Sequence, residues 1–554
     1  MKGELAPPLG GDALAPLPAR RLVGVFGAAL AAALLFWAML LFGGPLHGHD
    51  WSSHHYHYFD WVRIALSEHG TLPLYMADAW VTPNFLANAE APTLGPLAWL
   101  LLLLPTGAYV KLLIVVFTAV GLAGMYLLLR DLEVSPALAV LAAAVFACNG
   151  FFTSHLGVGH HWVLGAYLLP ALLWLYRRAA LGSDGALLAA ALLNAFTILG
   201  GQHQPFIWQN LWLSGFAVLW ALRVRAGFPL SRWALVLLAT AGLAAVKLLP
   251  LWAEFADYAP AARIQGLPLG ALLTALTAGG QGPELADPRI AYAHGAGWWE
   301  YAFYVGPVVL VCLAAGCLAA RGSWPMLAIG VFFLALSVES VELLGLWPLL
   351  EDLPVWRSQR APSRFLFLAL FAFLVVAAPG GERLLARARA QRRRALAVFV
   401  WGLALLVSAD LWVESRAWQR AATGPAIATA DHRPRPLVVQ APGARAELRE
   451  FAPNRLLYGV KARRAAQVVL PVRFGRKGAR EAEWEAESRT DSEAGAWWPL
   501  EQGGRLMLEV PPGEHELVLR YRPPGLRAGA ALSLGSALLC GALALWRRRR
   551  RAAS

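Results

Sequence analysis

Residues 47–60 read HGHDWSSHHYHYFD, in which Asp50 is set among five imidazoles and a second carboxylate, Asp60, closes the stretch. Asp50 follows directly on an apolar stretch, at a membrane boundary, where an ionisable group is costly unless it has a partner or a task. Imidazole is the commonest metal ligand, and the same stretch offers a divalent ion His54 and His57, or His160 and His161 from further along the chain. That ion is the one cofactor these residues point to, although no pair has the spacing of a zinc motif such as HExxH. A plainer role is open to Asp50 as well. It stands just before Trp51, where aspartate is a favoured helix N-cap.

A second group of residues suits a different chemistry. Arg357-Ser-Gln-Arg360-Ala-Pro-Ser-Arg364 brings three guanidiniums together, and guanidinium binds phosphate through paired hydrogen bonds. The competing expectation is pairing with Glu339, Glu342, Glu351 or Asp352 nearby. Glu300, between Trp299 and Tyr301, is a carboxylate in aromatic surroundings and needs a partner. Asn88, Glu90, His160, His161, Gln202, Trp299 and Tyr304 add polar and aromatic groups that could contact an acceptor or a donor.

Lipid is the solvent for most of the elements that must carry these groups. The chain has 554 residues, 58% hydrophobic and only 15% charged, with a mean hydropathy of +0.50. A soluble domain is nearer a quarter charged. The formal net charge of +13 does not imply nucleic acid, because the excess lies in runs beside apolar segments, such as Arg177–Arg178, Arg392–Arg394 and Arg547–Arg551. Cys148, Cys312, Cys317 and Cys540 all fall in apolar stretches and outline no disulfide framework.

Hydropathy predicts about twelve spans, near 22–43, 108–129, 136–152, 162–176, 185–200, 205–222, 233–252, 303–320, 323–338, 364–381, 395–413 and 528–546. The run 94–104 reads as a helix at the outer surface or re-entering it. With the N-terminus inside and the first span uncleaved, Arg130, Arg177/Arg178, Arg223 to Arg232, Arg321, Arg383 to Arg394 and Arg547 to Arg551 all face the cytoplasm. The expected organisation is a cytoplasmic tail 1–21, a membrane module 22–413 with outer loops 44–93, 253–302 and 339–363, and an extracytoplasmic β-rich domain 414–527. A final span 528–546 and a basic cytoplasmic tail 547–554 complete it. The β reading rests on alternation in Ala466–Arg473, Arg505–Val510 and Glu514–Tyr521, which suits a small sandwich. All thirteen histidines then lie outside, eleven in loops or at helix ends and two, His432 and His515, in the β domain.

Several motifs in order resemble one bacterial membrane family. Asp50 after the first span is followed by GTLPLY at 70–75, FLAN at 85–88 and Pro96. Then come GLAGMYLLLR at 121–130, WWEYAFYVG at 298–306, RAPSRF at 360–365 and PGEHELVLRYRPP at 512–524. Together these are similar to YfhO-like proteins of the GT-C glycosyltransferase class. The resemblance implies an all-α polytopic bundle in the bacterial inner membrane, both termini cytoplasmic. It implies a sugar donor carried on polyprenyl phosphate, and a cell-envelope glycan, lipid or protein as acceptor. It also makes Asp50 the catalytic carboxylate. Where such chains often have glutamine four residues later, this one has His54.

The resulting expectation is an inverting transfer. Asp50 is the base, His54 or Glu300 orients the acceptor or a metal, and Arg357, Arg360 and Arg364 receive the departing phosphate. A polyprenyl phosphate leaves as an anion, so no general acid is needed. The alternative is a transporter or flippase, or an envelope-assembly scaffold, that binds lipid-linked sugars without chemistry.

Overall fold

The computed structural model describes residues 18–553, apart from 78, 80, 81, 256–263, 288–296, 321, 339–348, 351, 352, 354, 355, 357, 358, 474–482, 490–495 and 498. The chain is mostly helical, with a β-sheet region before its last helix. Every predicted span contains helix, but the expected count of twelve is not reached. Among the described residues six helices are long and apolar enough to cross a membrane: Ala19–Phe36, Thr106–Asp131, Pro136–Val158, Pro362–Ala386, Ala395–Ala421 and Leu526–Trp546. A seventh arises if Phe228–Leu243 and Ala245–Phe255, bent by 82° at their junction, form one span.

Most of the shortfall is one of length; the helix over the predicted span 205–222, His203–Val224, has 22 residues but carries Gln204, Gln209 and Asn210 among its apolar ones. Asp184–Leu199, Pro307–Ala319 and Trp324–Ser337 have 16, 13 and 14 residues. They rise roughly 20–24 Å, against a hydrocarbon core of about 30 Å. The stretch expected at 162–176 opens instead as a 3-10 helix, His161–Leu168, before the helix Leu169–Ala180.

Backbone helix runs unbroken from Leu366 to Ala421, yet the two predicted spans inside it lie side by side. Leu374 and Leu403 line one apolar cavity with Leu138, Val145 and Leu313. A straight helix would hold those two leucines roughly 43 Å apart. The two halves therefore fold back on each other, and both ends of the segment reach the face that carries Asp50. At one end Arg364 meets Glu300; at the other the Ala422 carbonyl accepts from the His47 backbone N–H.

Among the described residues the β region has nine strands: β1 (Val438–Ala441), β2 (Ala444–Ala452), β3 (Arg455–Ala462), β4 (Ala466–Arg473), β5 (Trp484–Ser488), β6 (Ala496–Trp497), β7 (Leu500–Gln502), β8 (Arg505–Val510) and β9 (Gly513–Tyr521). One sheet is ordered β1-β2-β3-β9-β5-β6 and the other β4-β8-β7, with every pairing antiparallel. Alternation sends Val468, Leu470, Leu506, Leu508, Leu517 and Leu519 inward to a common core. The predicted stretches 466–473, 505–510 and 514–521 are all strands.

One loop ties this region to the helices. Tyr75, from the segment after Asp50, is buried in the β core, its ring 4.8 Å from Trp484 and 5.3 Å from Tyr521. Asn454 accepts from the Leu74 N–H at 2.6 Å and donates to the Leu72 carbonyl at 2.8 Å. Trp61 donates to the Tyr75 carbonyl at 2.8 Å and stacks on Phe451. Two lysines within apolar stretches hold the chain on either side of this segment. Lys111 donates to the Leu41 and Gly44 carbonyls, and Lys247 to those of Asn88 and Ala91. Tyr75→Ala removes a fully buried aromatic that joins the two regions. It should cost about 3–5 kcal/mol and speed proteolysis within 430–525, read by limited digestion in detergent.

Candidate functional site

Asp50 does not cap a helix with its side chain. Its carboxylate instead takes two imidazoles, His160 Nε2 at 2.6 Å on Oδ2 and His49 Nδ1 at 2.7 Å on Oδ1. Two local features bring this about. Residues Trp51–His55 form a π-helical turn, closed by a bond from the Tyr56 N–H to the Trp51 carbonyl. Such widened turns recur at functional sites, and here the turn sets His54 and His55 on the side of Asp50. Opposite it, the helix Gly150–Val158 ends at Gly159, whose φ of +118° reverses the chain into His160. A Cβ on Gly159 would overlap the Trp51 backbone nitrogen, so only glycine allows the two segments to meet. Trp51, fully buried, fastens the junction by donating to the Leu156 carbonyl at 3.0 Å.

From His160 a chain of polar groups runs inward. Its Nδ1 lies 2.7 Å from Nδ1 of the fully buried His155. Ligand atoms of His155, His160 and Glu300 lie within 4.8 Å of one another. Glu300 in turn holds Arg364 with a two-bond fork at 2.6 and 2.7 Å. Arg364 also donates to Gln204 at 2.6 Å and sits over the Trp162 ring at 4.5 Å. A break at Asn149 delivers His155: Asn149 caps the second helix through the Phe151 N–H. Gly150 there admits the backbone of Tyr304, which a Cβ would obstruct.

A parallel group flanks Asp50. His55 Nδ1 lies 2.7 Å from the Gly159 carbonyl and Nε2 lies 3.2 Å from Glu90 Oε2. His161 Nε2 donates to the Glu90 carbonyl at 2.8 Å. These contacts decide protonation. Burial would raise the Asp50 pKa, but the hydrogen bond and charge of His160, with His55 and His54 beyond, hold it well below the usual carboxylate range. Glu90 is likewise held low against its burial by the hydrogen bond and charge of His55. Burial lowers His55, yet its bond to Glu90 raises it on balance. Burial and the adjacent His55 push His54 down to about 4.

The expected site residues thus meet in part. Asp50, His54, His160, His161, Glu90, Glu300 and Arg364 form one neighbourhood. Glu300 is closed on Arg364 rather than open to an acceptor, and Arg364 is a paired cation rather than a free one. Its partner is not among the acidic residues expected for it. Arg360 is half-buried with no ion pair among the described residues, whereas Arg357, Glu339, Glu342, Glu351 and Asp352 lie outside them.

The other expected site residues have partners of their own within the chain. His57 does not join His54: its Nε2 faces the Ser52 carbonyl at 3.2 Å, because the π turn sends residues 54 and 57 apart. Gln202 is turned onto the Gly200 carbonyl. Asn88 braces its own loop by accepting from the Glu90 N–H. Tyr304 donates to Asp410 at 2.8 Å. Trp299 accepts Ser154 Oγ at its carbonyl, with its ring beside His49.

Sequence reasoning assigned no role to His55, His155, Gln204 or Trp162. Proximity to Asp50 was the available signal for His55. For the others there was none, since their partners are distant in the chain. Against protein-family models the chain finds no match, and it finds none among curated proteins.

Glu300→Gln leaves the Arg364 guanidinium buried and uncompensated, an expected loss of about 3–5 kcal/mol visible as a lowered Tm in detergent. Replacing both, with Glu300→Gln and Arg364→Met, should recover much of it. Acid should probe the same pair. Arg364 holds the Glu300 carboxyl down to about 2 despite burial. The pair's contribution is therefore full above the unfolded carboxyl range near 4.5 and is lost as pH falls toward 2.

Proposed function

We propose that the chain is a membrane glycosyltransferase of the GT-C type, moving a sugar from a polyprenyl-phosphate donor to an acceptor hydroxyl at the Asp50 face. One arrangement carries the reading. An ionised carboxylate and a buried guanidinium belong to a single cluster, joined through His160, His155 and Glu300. The resemblance to YfhO-like proteins agrees with it, as does the apolar character of the helices beneath.

In the proposed reaction the acceptor oxygen attacks the anomeric carbon as the bond from that carbon to the phosphate oxygen breaks. The electron pair leaves with the polyprenyl phosphate. The acceptor's proton passes to Asp50. His160 donates to the same carboxylate and so orients it. A carboxylate held this low is a weak base early in the reaction, so proton transfer falls late, when the attacking oxygen has become acidic. A single displacement inverts the anomeric centre.

Phosphate contact is assigned first to Arg360, whose guanidinium is not committed to a described carboxylate. Arg364, fixed by Glu300, supplies a preorganised positive field nearby. The apolar cavity of about 210 Å³ beside Leu138, Leu313 and Leu403 is suited to part of a prenyl chain. The facing cell-envelope partner and an inner-membrane location belong to the same proposal.

A carrier that binds lipid-linked sugars without chemistry is the second reading, favoured by the 82° break between Phe228–Leu243 and Ala245–Phe255. The isosteric change Asp50→Asn separates the two. Transfer from a polyprenyl-phosphate sugar by the purified chain should fall by about 10²–10⁴. Undiminished transfer by Asp50→Asn would refute the role of Asp50. Sugar-lipid translocation that survives the change, with no transfer by either protein, would favour the carrier.

A further inference from the structure

The two oxygens of Asp50 stand in different surroundings. Oδ2 meets His160 Nε2 at 2.6 Å, from a side chain only 8% exposed, and Oδ1 meets His49 Nδ1 at 2.7 Å, from one 67% exposed. One oxygen is closed by the protein, and the other lies behind a ring that is itself largely in solvent. What keeps Oδ2 closed is settled one residue further in.

An ionised carboxylate only accepts, so the 2.6 Å contact places a proton on His160 Nε2. A neutral imidazole carries one ring proton, which leaves a lone pair on His160 Nδ1. His155 Nδ1, 2.7 Å away, is therefore the donor of that contact. His155 Nε2 is then a bare acceptor, fully buried with no hydrogen-bond partner among the described residues. An imidazolium at His160 would reverse the inner bond and move the proton of His155 to Nε2, burying an N–H against nothing. Orphaned buried donors are rarer than orphaned buried acceptors, which favours the neutral order. Packing holds both rings to it. His155 meets the Phe151 ring edge-on at 4.7 Å, and His160 stacks on Trp162 at 5.1 Å. The His160 backbone N–H also donates to the His155 carbonyl at 2.8 Å, across the turn at Gly159.

We infer that His155 is a positioning residue: by donating to His160 Nδ1 it fixes the Nε2–H tautomer, keeps Oδ2 of Asp50 closed, and makes Oδ1 the oxygen that takes the acceptor's proton. In that step the exposed His49 ring gives way to the acceptor hydroxyl. The O–H bond breaks as its proton moves to Oδ1, and the oxygen bonds to the anomeric carbon. The bond from that carbon to phosphate breaks, its electron pair leaving with the polyprenyl phosphate. Loss of the group that sets an imidazole's tautomer is known to cost catalysis heavily while the geometry stays intact. The catalytic consequence rests on the glycosyl-transfer reading; the order of the hydrogen bonds does not.

The test compares His155→Asn with His155→Leu in the full chain in detergent. The two replacements have nearly the same shape, and only the amide carries an N–H where His155 Nδ1 stands. With a polyprenyl-phosphate sugar as donor, His155→Leu should lower kcat by about 10–100-fold at unchanged KM, and His155→Asn should restore most of it. Equal losses in both, or a loss confined to KM, would overturn the role. A second arm needs no donor. The chain labelled with ¹⁵N-histidine in lipid bilayers is compared by NMR with its His160→Gln variant, so that the difference isolates His160. A protonated Nε2 with a bare Nδ1 is expected, and a protonated Nδ1 overturns the assignment. If the wild-type chain transfers no sugar while His160 shows the expected order, the transfer reading and the role of Oδ1 fall, and the tautomer assignment stands.

Discussion

Burial of charge is the constraint on which this structure turns. The fork between Glu300 and Arg364 lies almost wholly out of water, with side-chain exposures of 3% and 7%. Neither ion could stay there alone: an uncompensated buried charge costs several kcal/mol. Gln204 and the face of Trp162 complete the guanidinium's surroundings. With that charge settled, His155 and His160 can remain uncrowded by a second cation, and Asp50 can be reached through them. Four separate stretches, near residues 50, 155–160, 300 and 364, are thereby committed to one place.

Geometry at close quarters then does what charge alone does not. The segment bearing Asp50 meets the segment bearing His160 only because Gly159 takes a left-handed turn and lacks a side chain against Trp51. The π turn at 51–55 redirects the histidines that follow. These are backbone decisions of a residue or two, yet they determine which imidazole faces a carboxylate and which faces a carbonyl. They also explain why His55 and Glu90 acquire perturbed acidity while His57 takes no part.

The loop after Asp50 has a second task, as the mechanical link to the β region. Tyr75 belongs to the core of the two sheets rather than to the helices, and Trp61 stacks on Phe451 from the other side of the junction. Lys247 fastens the far end of the loop at Asn88 and Ala91, and Lys111 holds the chain ahead of Asp50 at Leu41 and Gly44. Any movement of the β region therefore acts on the segment that holds Asp50 and Glu90, through rigid aromatic contacts rather than a flexible tether.

What the residues determined unaided is local. Hydropathy marks each helical stretch, because apolar side chains in sufficient number need no partner beyond lipid or one another. Alternation likewise marks the strands at 466–473, 505–510 and 514–521, because period two is the geometry of a single strand. Asp50 stood out because a carboxylate beside a span is costly wherever the rest of the chain goes. Helix length was less legible: short apolar helices read like spans until packing shows where each ends. Partner choice was not legible at all. Arg364 had four nearby acids in sequence, and found Glu300, 64 residues away. His155 and Trp162 became part of the cluster, and His57 left it, through a break at Asn149 and turns at Gly159 and residues 51–55. Those choices follow from the competition among folded arrangements to cover every buried charge, a sum that exists only once the distant segments are in contact.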